Sequence, residues 1–197
     1  MADDGVIKFN CKWNNKPLDI DVPNELLKCR NKIHQLGLIG VYEDINIGYG
    51  NISLKVSEGM LISGTQTGGI KKITSSDFSL VTEYNMEKNE VVCEGLAKAS
   101  AESLTHLAFY EADDSIQAII HIHNRLMWDT LIDRLPTSNR DVSYGTSAMA
   151  EEIKRLFSQT SVVEDQIMVM GGHKEGLIAF GKSLEEAEMV VKRYLIS

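Results

Sequence analysis

Ile116-Gln117-Ala118-Ile119-Ile120-His121-Ile122-His123 is a dense apolar segment with isoleucine at four of its eight positions. β-Branched residues at this density predict a buried strand. Its two histidines stand at i and i+2, so they share one face and lie about 6.5–7 Å apart along the chain. Two imidazoles so placed can converge on one metal ion at the bonds of about 2.0–2.1 Å that zinc prefers. Two hydrogen-bonded histidines on a half-buried strand satisfy the same pattern.

Upstream, Ser100-Ala101-Glu102-Ser103-Leu104-Thr105-His106 opens an expected helix that ends near Asp113. Glu102 falls in its first turn, where the helix dipole favours a carboxylate. Most glutamates at such positions only help to start helices. This helix leads directly into the histidine strand, however, which makes Glu102 a candidate acid/base beside a divalent metal. Further upstream, residues 51–56 alternate in the manner of a strand. Glu58-Gly59 is a turn and residues 60–63 return, so a hairpin is expected. Ser76 is expected to cap a short turn before a strand over residues 79–84. Two glycine-rich segments flank the hairpin: Gly48-Tyr49-Gly50-Asn51-Ile52-Ser53 and Ser63-Gly64-Thr65-Gln66-Thr67-Gly68. Their backbone amides can approach an anion, with Asn51 and Ser53 as side-chain donors and Ser100 contributing from the next helix start. Neither segment has Walker or Rossmann spacing, and there is no G-x-S-x-G elbow.

Downstream, helical periodicity follows Asn124 and recurs over residues 147–157. Residues 167–170 and 177–180 read as short strands separated by Gly171-Gly172-His173-Lys174-Glu175-Gly176. His173, in a glycine-rich loop after a buried strand, is a candidate third ligand, and three nitrogens with an open fourth position would be the catalytic zinc pattern. His34 and His106 read as core or supporting histidines. The remaining elements are a helix over residues 23–38 and a closing helix to Tyr194, opened by the capping box Ser183-x-x-Glu186. Val6-Ile7-Lys8-Phe9 and the turn Asn14-Asn15-Lys16-Pro17 form an entry segment, with a hairpin as its expected form. Strands alternate with helices and several joins are short. A mixed or largely antiparallel sheet with helices on both faces is therefore expected.

The chain has 197 residues, 43% of them apolar, enough for a packed core. Lys plus Arg number 20 against 28 Asp plus Glu, a net charge of −8. That balance argues against nucleic acid or an anionic membrane as the main partner. No apolar run approaches the ~18 residues of a membrane span. Met1-Ala2-Asp3-Asp4-Gly5 is acidic and polar, unlike a secretory signal, and Ala2 stands where N-myristoylation needs glycine. Cys11, Cys29 and Cys93 have no paired spacing, so free thiols are expected. The expectation is a cytoplasmic protein with one domain over residues 1–197, of which 1–22 are the entry segment.

Gly50-Asn51-Ile52-Ser53, Ser63-Gly64-Thr65, Ser100-Ala101-Glu102, His121-Ile122-His123 and a histidine loop before Gly176-Leu177-Ile178-Ala179 occur in this order. Together they resemble the class II aldolase/adducin family over roughly residues 24–194. The resemblance implies an α/β fold, a three-layer α/β/α sandwich with a mainly antiparallel central sheet. It implies a zinc-dependent lyase, or one using another divalent metal, that acts as a homotetramer. Such an enzyme cleaves a small-molecule sugar phosphate, a ketose 1-phosphate, to dihydroxyacetone phosphate and an aldehyde. By the same resemblance His121, His123 and His173 bind the metal and Glu102 shuttles the proton. Gly50, Asn51, Ser63, Gly64 and Ser100 hold the substrate phosphate. The chain departs from the pattern at Ala101, where a second serine is usual, and at His173-Lys174-Glu175-Gly176, where His-Gly is usual. A sugar-phosphate dehydratase of the methylthioribulose-1-phosphate dehydratase type is compatible with the Ser-Ala-Glu version. A non-catalytic adducin-like module is the other alternative; the intact His-x-His and Glu102 argue against it.

Overall fold

The computed structural model describes residues 5–195; the readings made on Met1 to Asp4 lie outside them. In chain order the elements are β1 (Asn10–Asn14), α1 (Asn24–Gln35), β2 (Gly40–Tyr42), β3 (Ile47–Tyr49), β4 (Asn51–Val56) and β5 (Gly59–Ser63). β6 (Phe78–Asn85), β7 (Glu90–Glu94), α2 (Ser103–Ala112), β8 (Ala118–His123), α3 (Arg125–Leu131) and α4 (Ser147–Gln159) follow. The chain closes with α5 (Val162–Asp165), β9 (Ile167–Val169), β10 (Gly176–Gly181) and α6 (Leu184–Tyr194). No helix among the described residues is long and apolar enough to cross a membrane.

Eight strands form one sheet in the order β1-β7-β6-β5-β4-β8-β10-β9, antiparallel at every pairing except β1 with β7. β8 sits near the middle, and all six of its residues are buried. Alternation along it divides the core. Ile119 joins Leu104, Phe109, Met149 and Ile153 of α2 and α4 on one face. Ile120 and Ile122 join Leu26, Ile33, Val190 and Val191 of α1 and α6 on the other. A strand covered on both faces needs apolar residues in both phases, which is what the isoleucine run supplies. The three layers and the mainly antiparallel sheet are thus as expected.

Four local expectations are corrected. The entry segment is no hairpin: β1 pairs in parallel with β7, Trp13 Nε1 donates to the Gly95 carbonyl at 2.9 Å, and Phe9 is buried in the core. The short turn at Ser75–Asp77 is capped by Thr74, not Ser76, through a reciprocal pair of bonds with Asp77. At α6 only half of the capping box forms: Ser183 Oγ accepts from Glu186 N, while the Glu186 carboxylate takes the N–H of Lys182. Finally, α2 begins at Ser103. Ser100-Ala101-Glu102 forms a turn held by Ser103 N and Oγ on the Ser100 carbonyl, at 3.1 and 2.7 Å. Glu102 therefore stands at the N-cap position of α2 rather than inside its first turn, and its side chain makes no bond to the helix end.

The cysteines are free thiols, with Cys11 and Cys93 Sγ 3.5 Å apart across β1 and β7. Ile122 is fully buried between the two histidines of β8 but on the opposite face. Ile122→Ala should cost about 2–5 kcal/mol through lost burial and the cavity left behind. Urea unfolding checks it: the midpoint falls while the slope stays unchanged.

Candidate active site

His121 and His123 project from the end of β8 towards the α2 and α4 layer. The β8–β10 register sets Gly176 opposite His123 and Ile178 opposite His121. His173 lies in the turn between β9 and β10, pinned by His173 N to the Met170 carbonyl at 3.2 Å and Gly176 N to the His173 carbonyl at 3.0 Å. A Cβ on Gly176 would come within 2.6 Å of His173 Cδ2 and 3.2 Å of His121 Nε2, so glycine is what lets the turn close on the strand. The three rings meet with centroids 4.7–5.4 Å apart, and one nitrogen from each lies within 4.8 Å of the others.

All three are buried, and burial pushes each imidazole's pKa down: well below its ordinary value for His121 and His123, to about 3 for His173. They are neutral, metal-competent donors at neutral pH. Glu102 Oε2 is 3.1 Å from His121 Nδ1 and Oε1 is 3.6 Å from His173 Nε2. His121 Nδ1 accepts from the Asn51 side-chain amide, and His121 Nε2 is buried without a hydrogen-bond partner. His123 Nε2 and His173 Nε2 face each other at 2.9 Å. Three nitrogens on one tetrahedral zinc stand about 3.3 Å apart by the bond lengths zinc prefers. An orphaned buried nitrogen, neutral rings and this spacing all fit a divalent metal.

The cluster opens into a cleft lined also by Gly50, Asn51, Gly64, Thr65, Gln66, Ser100, Glu102 and Tyr144. Of the residues expected to hold an anion, Gly50, Asn51, Gly64 and Ser100 reach this cleft. Asn51 pairs with His121 across β4 and β8, and its Nδ2 lies 3.3 Å from His121 Nδ1. Ser63 does not line the cleft: its Oγ accepts from Ile52 N at 3.2 Å within the sheet. Ser53 does not either. Its Oγ is bound 2.8 Å from both His106 Nδ1 and Tyr110 OH, under α2. His106 is a fully buried core histidine lowered to about 3 by desolvation, and His34 lies on α1 away from the cluster.

Several residues at the site escaped the sequence reading. Tyr49 stacks on His123 at 5.3 Å between ring centroids, and Tyr144 meets His173 edge-on at 4.8 Å. Tyr42 OH bonds His123 Nδ1 and Glu175 Oε2, each at 2.8 Å. Arg30 of α1 is buried beneath the loop of residues 64–70. Its guanidinium donates to the carbonyls of Thr67 (2.7 Å), Gly68 (2.9 Å) and Ile70. Burying this charge is costly, and desolvation lowers its pKa to about 10, partly offset by the Asp77 carboxylate. The glycines flanking Tyr49 were a usable signal for that ring. Nothing in the sequence marked Arg30 or Tyr42.

Residues 25–192 match the family model described as the Class II Aldolase and Adducin N-terminal domain. Among solved structures, the chain is similar to an L-fuculose 1-phosphate aldolase, at 23% identity and TM-score 0.64, over 89% of this chain and 82% of that one. It is similar to L-fuculose-1-phosphate aldolase from Thermus thermophilus, at 17% identity and TM-score 0.60, over 86% and 84%. A sugar-phosphate aldolase from Thermotoga maritima aligns at 16% identity and TM-score 0.65, over 86% and 88%. At these identities the likeness is one of fold.

The buried histidines give the apo protein an acid-sensitive stability. An unfolded histidine titrates near 6.5 and folded His106 and His173 near 3. Between those values the unfolded chain binds protons that the folded one refuses, so stability is complete above pH ~6.5 and is lost as pH falls. Calorimetry from pH 7 to 4 should show the thermal midpoint falling, with a shallower slope in His106→Gln.

Proposed function

The chain belongs to the class II aldolase and adducin family, and on that footing we propose that it is a metal-dependent lyase cleaving a ketose 1-phosphate to dihydroxyacetone phosphate and an aldehyde. The observation that carries the reading is the closure of three buried, neutral imidazoles beside one buried carboxylate at the mouth of a glycine-lined cleft. His121, His123 and His173 would hold the ion, zinc or another divalent metal. When bound, it supplies Lewis-acid stabilisation of the negative charge that develops on the substrate's oxygens.

The chain's own groups do the rest. The hydroxyl at C4 gives up its proton, the C3–C4 bond breaks, and the aldehyde leaves. The electron pair left at C3 is delocalised into the neighbouring carbonyl, and C3 then takes a proton. Glu102 reaches into the cleft from the cap of α2 and is the group placed to move that proton. Its backbone N–H is held by Ser100 Oγ at 3.3 Å, so the acid/base and the nearest hydroxyl of the anion subsite share one turn. Gly50, Asn51, Gly64 and Ser100 form the side of the cleft that takes the phosphate. Ser63 supports that side through the sheet. The proposal extends to one domain over residues 1–197, a homotetramer and a cytoplasmic location.

Glu102→Gln should retain the metal by elemental analysis and lose about 10²–10⁴-fold in kcat. His123→Ala should lose both metal and turnover. Ser100→Ala removes a hydrogen bond to a charged group. It should raise KM for the phosphorylated ketose about 10–100-fold while leaving KM for the free ketose nearly unchanged. The deciding experiment is a screen of ketose 1-phosphates against metal-loaded protein, reading triose phosphate. Release of triose phosphate with an aldehyde supports the lyase. Loss of water without carbon–carbon cleavage assigns the same site to a dehydratase, and a protein that binds no divalent metal and turns over nothing overturns the enzymatic reading.

A further inference from the structure

Glu175 takes no part in the chemistry above, yet the structure holds it in an uncommon conformation against the imidazole cluster. It is a non-glycine residue with φ of 73°, in the left-handed region that L side chains seldom adopt. The strain is held in place from both sides: Asn124 N donates to the Glu175 carbonyl at 2.9 Å, and Tyr42 OH donates to Glu175 Oε2 at 2.8 Å. Strain maintained by surrounding bonds at the edge of a site invites a functional reading.

The protons can be followed one at a time. A phenol has a single proton, and Tyr42 places it on the Glu175 carboxylate. Its oxygen is then an acceptor towards His123 Nδ1, 2.8 Å away, so Nδ1 must carry the ring's one proton. That leaves Nε2 of His123 as the lone-pair nitrogen, and Nε2 is the atom turned towards His173. The Tyr49 ring, stacked on His123 at 25° between planes, limits rotation about the same bond. Metal-binding imidazoles gain both orientation and basicity when the far nitrogen is bonded in this way.

We propose that Glu175, acting through Tyr42, is a positioning residue that locks His123 in its Nδ1–H tautomer, aims Nε2 into the imidazole cluster and thereby raises the site's affinity for a divalent cation. The proposal rests on the metal-binding reading of the cluster and adds to it a carboxylate that touches neither metal nor substrate. Glu175 and Tyr42 act in series, so removing either breaks the same connection.

Two measurements test it, neither of them activity. In the metal-free wild type, ¹⁵N NMR of labelled histidine should report His123 protonated at Nδ1. The other tautomer overturns the proposal whatever the metal does. Zinc affinity by chelator competition should fall about 10–100-fold in Tyr42→Phe. It should fall less in Glu175→Gln, whose amide oxygen still accepts from the phenol. The double variant should be no weaker than Tyr42→Phe, with apo thermal midpoints confirming that each is folded. Affinities within twofold of wild type, or losses that add in the double variant, overturn the proposal while leaving the metal site standing. Wild-type protein that binds no zinc overturns both. Should Tyr42→Phe not fold, the wild-type tautomer and Glu175→Gln still decide.

Discussion

The antiparallel pairing of β8 with β10 is the constraint from which the site follows. It sets two imidazoles on one face of a strand buried from both sides and brings the β9–β10 turn back over them. A slip of one residue would turn His121 and His123 into the α1 and α6 layer and Ile120 and Ile122 into the cleft. The apolar run on the opposite face forbids that slip, since Ile120 and Ile122 are wholly buried there. The hydrophobic core thus specifies the position of the polar cluster, although the two share no atoms.

A second constraint concerns charge. Neutral imidazoles tolerate burial where cations would not, and every one in the cluster is held neutral mainly by desolvation. Glu102 stands just before the first turn of α2, which leaves its carboxylate at the cleft rather than among the apolar residues that follow it. The turn of residues 100–102 therefore does two things. It delays the helix by three residues and delivers a carboxylate and a hydroxyl to the same wall.

Much of this was legible in the sequence because it rests on periodicity. The hairpin β4–β5, the strand β8, the helices α1 and α4 and the shared face of His121 and His123 follow from strand alternation or helical spacing, whereas His173 is singled out by its glycine-rich loop and by the family resemblance. The misses have specific causes. β7, Glu90-Val91-Val92-Cys93-Glu94, is not among the strands expected from the sequence, and with it went the pairing partner of β1. Asn51 and Ser53 share a face of β4, but α2 covers Ser53 with His106 and Tyr110. Only the Asn51 end rises past the helix start. Arg30 binds backbone carbonyls, which leave no mark in the order of side chains. Tyr42 meets His123 and Glu175 from a three-residue strand far from both in sequence. Contacts of that kind are set by tertiary packing alone.

The parallel docking of β1 against β7 bears on how the chain is made. As the polypeptide leaves the ribosome, residues 10–14 must wait for residues 90–94 before they have a partner. β8 likewise waits for β10, and with it His123 for the turn that carries His173. During synthesis the early strands can zip up locally while the imidazoles remain apart. The donor set is completed only once β10 can pair with β8, so a nascent chain has no preformed trap for stray cations before residues 173–181 have emerged.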